Sequence, residues 1–178
     1  MIILKGQARF FNDGLILDST INYNLFKLIN EKLDKMYGEN PDPEIEKRVR
    51  DEWVWIQQTE TYFTLLLLCD LTENLDDFDI PYSIRCSGNA SFILYLLGIT
   101  NINPLPPHYY CPNCHSVIWD CNAKSGIDLE KEKRCEKDGT IMRADGFNIP
   151  WQAHLLHKQN HYFYLSLPPN MYEEILDG

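Results

Sequence analysis

With 178 residues, 44% of them hydrophobic and 12% aromatic, the chain is long enough for one ordinary domain with a core of its own. Its formal net charge of −10, from 26 acidic against 16 basic residues, disfavours autonomous binding to a phosphate backbone and points instead to a protein partner with a basic surface. The longest apolar run, Leu65–Leu68 with its neighbours, is far short of the ~20 residues of a membrane span. The first residues also lack the order of a signal peptide, so a cytoplasmic location is expected.

Ile2–Phe11 and Leu15–Asp18 flank Asn12-Asp13-Gly14, a hairpin signal. Asn24 to Tyr37 carries Leu25, Leu28, Ile29, Leu33 and Met36 at helical spacing and stops at Gly38. A second helix is predicted after Asp42 as N-cap, with Pro43 in its first turn and Ile45, Val49, Trp53 and Ile56 as its buried stripe. Trp53 and Trp55 cannot both face one core, so one of them is expected exposed or under the cysteine-rich segment. Tyr62–Leu68 reads as a buried strand and Asn74–Asp79 as an acidic turn or short helix. Tyr82–Arg85 reads as a strand, and Ser87 can cap a helix that runs to a stop at Gly98. Pro104, Pro106 and Pro107 hold the next segment extended, and His161–Leu167 is a final strand.

Of the six cysteines (Cys69, Cys86, Cys111, Cys114, Cys121 and Cys135), four fall between positions 111 and 135. Cys111-x-x-Cys114 followed by Cys135 matches a zinc-ribbon spacing at its upper end, a pattern that favours a metal site over disulfides. Cys121 and, less strongly, His115 are candidate further ligands; the competing reading is a set of ordinary buried thiols. His154, His157 and His161 have no carboxylate at a matching spacing and read as surface or packing residues. The Asp70–Asp79 run lacks the spacing of a calcium loop and reads as a solvated face.

The run Gly98-Ile-Thr-Asn-Ile-Asn-Pro-Leu-Pro-Pro-His-Tyr-Tyr-Cys-Pro-Asn-Cys114 resembles the palm region of the PolC-type DNA polymerase III alpha subunits, where a similar connector leads into a cysteine cluster. Tyr37-Gly38 with Pro43–Val49, Ser125-Gly126-Ile127-Asp128-Leu129 and Asp145-Gly146-Phe147-Asn148-Ile149-Pro150-Trp151 resemble further motifs of that family in the family's order, so that residues 24–167 are covered. The resemblance implies an α+β fold with a palm-like mixed β-sheet, flanking helices and a zinc-knuckle insertion. The parts of this one domain would be an N-terminal hairpin (1–23), palm-like helices and strands (24–107), the insertion (108–145), and a C-terminal strand and tail (146–178).

The same resemblance assigns site residues. The family closes its cysteine site with a second Cys-x-x-Cys; here that pair reads Cys135-Glu-Lys-Asp138, which implies a structural zinc site of Cys111, Cys114, Cys135 and Asp138, with Cys121 as the alternative fourth ligand. The family's triphosphate loop falls on Ser83–Ser91, where Arg85 and Ser87 match and the glycines are replaced by Ser83, Cys86 and Asn89. Its two magnesium-binding aspartates fall on Tyr164 and Ser166, which cannot grip a hard cation, so neither magnesium nor enzyme activity is expected of this chain. The implied function is a non-catalytic protein-interaction module of bacterial DNA replication that binds a replication or host protein. A nucleotide-binding module using Arg85 and Ser87 is the alternative, and one piece of a split polymerase the weaker one.

Overall fold

The computed structural model describes residues 2–5, 14–59, 61–86, 90–119, 122–151 and 162–168; for 2–5, 14–22, 85–86 and 162 the description is of the backbone. In chain order the elements are β1 (Ile2–Lys5), α1 (Gly14–Tyr37), α2 (Pro43–Thr59), α3 (Tyr62–Asp77), β2 (Ser83–Cys86), α4 (Phe92–Leu96), β3 (His108–Tyr110), β4 (Val117–Trp119), β5 (Arg143–Asp145) and β6 (Tyr162–Ser166), with one 3-10 turn at Gly126–Asp128. The strands form two small sheets, β1-β6-β2 and β4-β3-β5. Among the described residues every pairing is antiparallel, so the expected mixed sheet is corrected there to two antiparallel ones.

Helices α1 to α4 bury Leu25, Ile29 and Leu33, then Ile45, Val49 and Ile56, Leu65 and Leu68, and Phe92 and Ile93 in one main core. Strand β3 runs between this core and a smaller one. By the two-residue period of a strand, Tyr110 faces the helices while Tyr109 faces Cys111, Leu129, Cys135 and Met142.

Several local expectations hold. Asp42 accepts a hydrogen bond from the Glu44 N–H at 3.0 Å and starts α2. Gly38 and Gly98 take positive φ where helical chain stops. Others change. Leu15–Asp18 is helix rather than the second arm of a hairpin, and β1 pairs with β6 at the far end of the chain, Ile3 opposite Tyr164. Leu17, Ile21, Leu25 and Leu28 already carry a helical period that outweighs the Asp-Gly signal. Tyr62–Leu68 belongs to α3, because the buried positions continue at helical spacing as Leu65, Leu68, Thr72 and Leu75 on one face. The cap of α4 is Ser91, whose side chain accepts from the Leu94 N–H, while Ser87 lies outside the described residues. Trp53 and Trp55 are both half-buried on opposite flanks of α2, Trp53 against Phe26 (ring centroids 5.0 Å apart) and Trp55 edge-on to Trp151 (5.7 Å).

Candidate metal centre

Two turns of the same design build the cysteine site. In the first, the Cys111 N–H donates to the Ser116 carbonyl (2.9 Å) and the His115 N–H to the Cys111 carbonyl (3.0 Å). In the second, the Cys135 N–H donates to the Thr140 carbonyl (2.8 Å) and the Gly139 N–H to the Cys135 carbonyl (2.9 Å). The fifth residue of each turn is left-handed, His115 at φ 59° and Gly139 at φ 74°. Cys114 and Asp138 are therefore equivalent positions, one in each turn. The first turn is set by the β3–β4 hairpin, Tyr110 opposite Val117, and the second by the bridge between Arg134 and Ile141.

The ligand atoms of Cys111, Cys114, Cys135 and Asp138 all lie within 4.8 Å of one another, so the group can hold a metal ion. Sγ of Cys114 and Cys135 are 3.4 Å apart, and Asp138 Oδ2 is 3.4 Å from Cys111 Sγ. A tetrahedral ion with metal–sulfur bonds of about 2.3 Å spaces its ligands by roughly 3.5–3.8 Å, close to these values, and the donor set fits zinc. The Cys114 N–H also points at Cys111 Sγ (3.4 Å), a contact that favours thiolate. The Ser116 hydroxyl, 3.0 Å from Cys114 Sγ, pulls that thiol below its ordinary pKa, whereas burial pushes Cys111 up. Asp138 is held well below the usual carboxylate range, first by the Thr140 N–H (2.9 Å) and then by the Asn113 amide (3.0 Å), so it stays an anion. His115 turns away from the cluster: its Nδ1 lies 3.3 Å from the Met36 carbonyl, and a Cβ on Gly38 would come within 3.0 Å of its own Cβ. This contact fastens the first turn to the end of α1. Cys121 lies outside the described residues.

Next to the site, the motif residues of the sequence meet in one buried network. Asp145 Oδ2 accepts from the Tyr95 hydroxyl (2.7 Å) and from the Asn103 amide (2.8 Å). Asn103 reaches the Tyr37 hydroxyl at 3.3 Å, and Tyr37 lies 2.9 Å from His108 Nε2. Burial drives the His108 pKa down, and its Nδ1 is 2.8 Å from the Pro106 carbonyl, so Nδ1 donates and Nε2 accepts from Tyr37. The backbone is close-packed in the same place. The Gly126 N–H donates to the Gly146 carbonyl, and a Cβ on Gly146 would come within 2.3 Å of the Pro106 carbonyl oxygen.

A second buried group was not foreseen from the sequence. Glu52, fully buried on α2, accepts from Arg48, from the Ser91 hydroxyl (2.6 Å) and from the N–H groups of Phe92 and Ile93 (2.9 Å each), and so caps α4. Its place on the Ile45–Val49–Ile56 stripe was the available signal. As for the remaining expected site residues, Arg85 sits on β2 opposite Tyr164, and Ser87 and the histidines 154, 157 and 161 lie outside the described residues. Tyr164 and Ser166 lie on β6, the central strand of its sheet. Asp70, Asp76, Asp77 and Asp79 are exposed, as a solvated acidic face should be. Among the described residues no helix is long and apolar enough to cross a membrane.

Fold and site together define an α+β protein whose two matched turns hold a three-cysteine, one-aspartate centre. The bacterial DNA polymerase III alpha NTPase domain model matches residues 23–161. The chain is 37% identical over 132 residues to the DNA polymerase III PolC-type of Streptococcus suis, which covers 72% of this chain and 9% of the relative. It is 36% identical over 124 residues to that of Ureaplasma parvum (68% and 8%) and 33% over 133 residues to that of Caldanaerobacter subterraneus subsp. tengcongensis (72% and 9%). The chain belongs to the PolC-type DNA polymerase III alpha family. It spans less than a tenth of the length of these relatives.

The relatives correct one expectation. Absence of enzyme activity was inferred from Tyr164 and Ser166, but the family carries the name of an enzyme. Two positions in a segment that covers 9% of such a relative do not show that activity is lost.

Proposed function

We propose that the chain serves bacterial DNA replication as a palm-like module with a structural zinc centre, and that it does so by holding a protein partner, foremost another replication protein. The observation that carries the reading is the locked junction. Tyr37, Asn103, His108 and Asp145, all within or beside the motifs shared with the PolC-type family, direct their polar groups at one another. What such a network leaves for the surroundings is a rigid shape with an acidic surface, which suits a basic protein face better than a phosphate backbone.

The zinc reading rests on the matched turns and on a donor set that fills all four positions; a filled tetrahedral shell braces a fold and leaves no vertex for substrate. Because the chain spans so little of its relatives, any nucleotidyl transfer would belong to an assembly in which further polypeptide takes part. The test is a tagged, zinc-loaded, nuclease-treated pull-down from the native cells, with partners identified by mass spectrometry. A replication subunit should be recovered, and chelation should release it. Recovery of no replication protein by the zinc-loaded chain overturns the proposal.

A further inference from the structure

In the order β1-β6-β2, strand β2 pairs with β6 on one side, and among the described residues no strand pairs with its other side. Such an edge presents a row of backbone donors and acceptors that can template another strand. Beside β2 lies an open cleft of about 620 Å³, whose lining includes Asp76, Ile80, Tyr82, Ile84, Ile99 and Ile102. That size falls within the range of ligand clefts. The segment 98–102, which also lines the cleft, does not serve as the missing strand. Its N–H groups at Ile99 and Thr100 go to the Leu94 carbonyl, and that of Ile102 goes to the Thr100 hydroxyl.

Charge selects the occupant. Asp76 lines the cleft, and Asp77 and Asp79 are exposed beside it at the end of α3. The Asp76 carboxylate accepts from the Tyr82 hydroxyl at 3.4 Å, and among the side chains described no lysine or arginine forms an ion pair with Asp76, Asp77 or Asp79.

We infer that the open edge of β2 takes up an extended, lysine- or arginine-rich protein segment as an added strand of the β1-β6-β2 sheet. Main-chain hydrogen bonds to Ser83–Cys86 would hold it, Ile80, Ile84 and Ile102 would receive its alternate apolar side chains, and Asp76 and Asp77 its cations. This inference deepens the protein-partner reading and rests on it.

The test uses the full, zinc-loaded chain and three synthetic peptides: one alternating isoleucine with lysine, the same with glutamate for lysine, and the lysine peptide N-methylated on alternate backbone nitrogens. The lysine peptide should bind by calorimetry, more weakly as salt rises, and slow hydrogen exchange at the β2 amides. The glutamate peptide and the Asp76→Lys/Asp77→Lys variant should each lower affinity by about tenfold or more, equivalent to ~1.4 kcal/mol. The N-methylated peptide should not bind. No binding of the lysine peptide, or equal binding of all three, overturns the inference. If the double variant still recovers a replication protein as the wild type does, the inference fails and the partner reading stands. If the wild type recovers none while the lysine peptide protects β2, the partner reading fails instead.

Discussion

Glu52 shows how much one side chain can determine. Its carboxylate is buried on α2 yet satisfies Arg48, Ser91 and the first N–H groups of α4, so it replaces water for several donors at once. Replacing it with leucine removes the acceptor of those donors and the counter-charge of Arg48, which keeps only the carbonyls of Ala90 and Ile149 and the Trp151 ring; the expected loss is about 3–5 kcal/mol in a urea unfolding curve, with a smaller loss for Glu52→Gln. His108 makes a prediction in pH. Burial places its folded-state pKa below the ordinary 6.5, so the unfolded chain binds more protons as acidity rises. Its contribution is complete above about pH 6.5 and is lost as pH falls from there through the folded value. Measured as unfolding free energy from pH 8 downward, the fall should be shallower in His108→Gln; protonation of the metal ligands is common to both proteins and cancels in the difference.

Elements here are fixed by their ends more than by their lengths. The turn at Cys111–Ser116 joins three-residue strands, and its match at Cys135–Thr140 is closed by a single bridge, neither of which has much stability of its own. A metal ion would join them, so the identity of the fourth donor should tune its affinity. In competition with a chromophoric chelator, Asp138→Ala should weaken zinc by about tenfold or more, on the scale that lost supporting partners already cost, and Asp138→Cys should tighten it. Equal affinities in all three proteins would remove Asp138 from the site. At the junction of connector and β5, Gly146 holds φ 100° with Pro106 almost in contact. Gly146→Ala should therefore cost at least the roughly 1–3 kcal/mol of a strained backbone, read as a lower urea midpoint at unchanged slope.

Over the whole molecule, charge and topology govern what can approach. With a net charge of −10, the isolated chain should show no duplex-DNA affinity tighter than about 0.1 mM at physiological salt by fluorescence anisotropy; a salt-sensitive affinity in the micromolar range would mean that a local basic patch outweighs the total. The sequence by itself determined whatever depends on near neighbours: the Asp42 cap, the Gly38 and Gly98 stops, the extended proline connector, and the spacing of Cys111, Cys114 and Cys135, to which the family resemblance adds Asp138 in a group that could hold a metal ion. These follow from steric and hydrogen-bonding preferences acting over a few residues. Only the tertiary structure decided that Leu15–Asp18 is helix, that β1 crosses to β6, that Glu52 caps a helix some forty positions away, and that Tyr37 and Asp145 share one network. Those outcomes turn on which distant groups are buried together, and burial raises the cost of an unmet polar group in a way that no local pattern records.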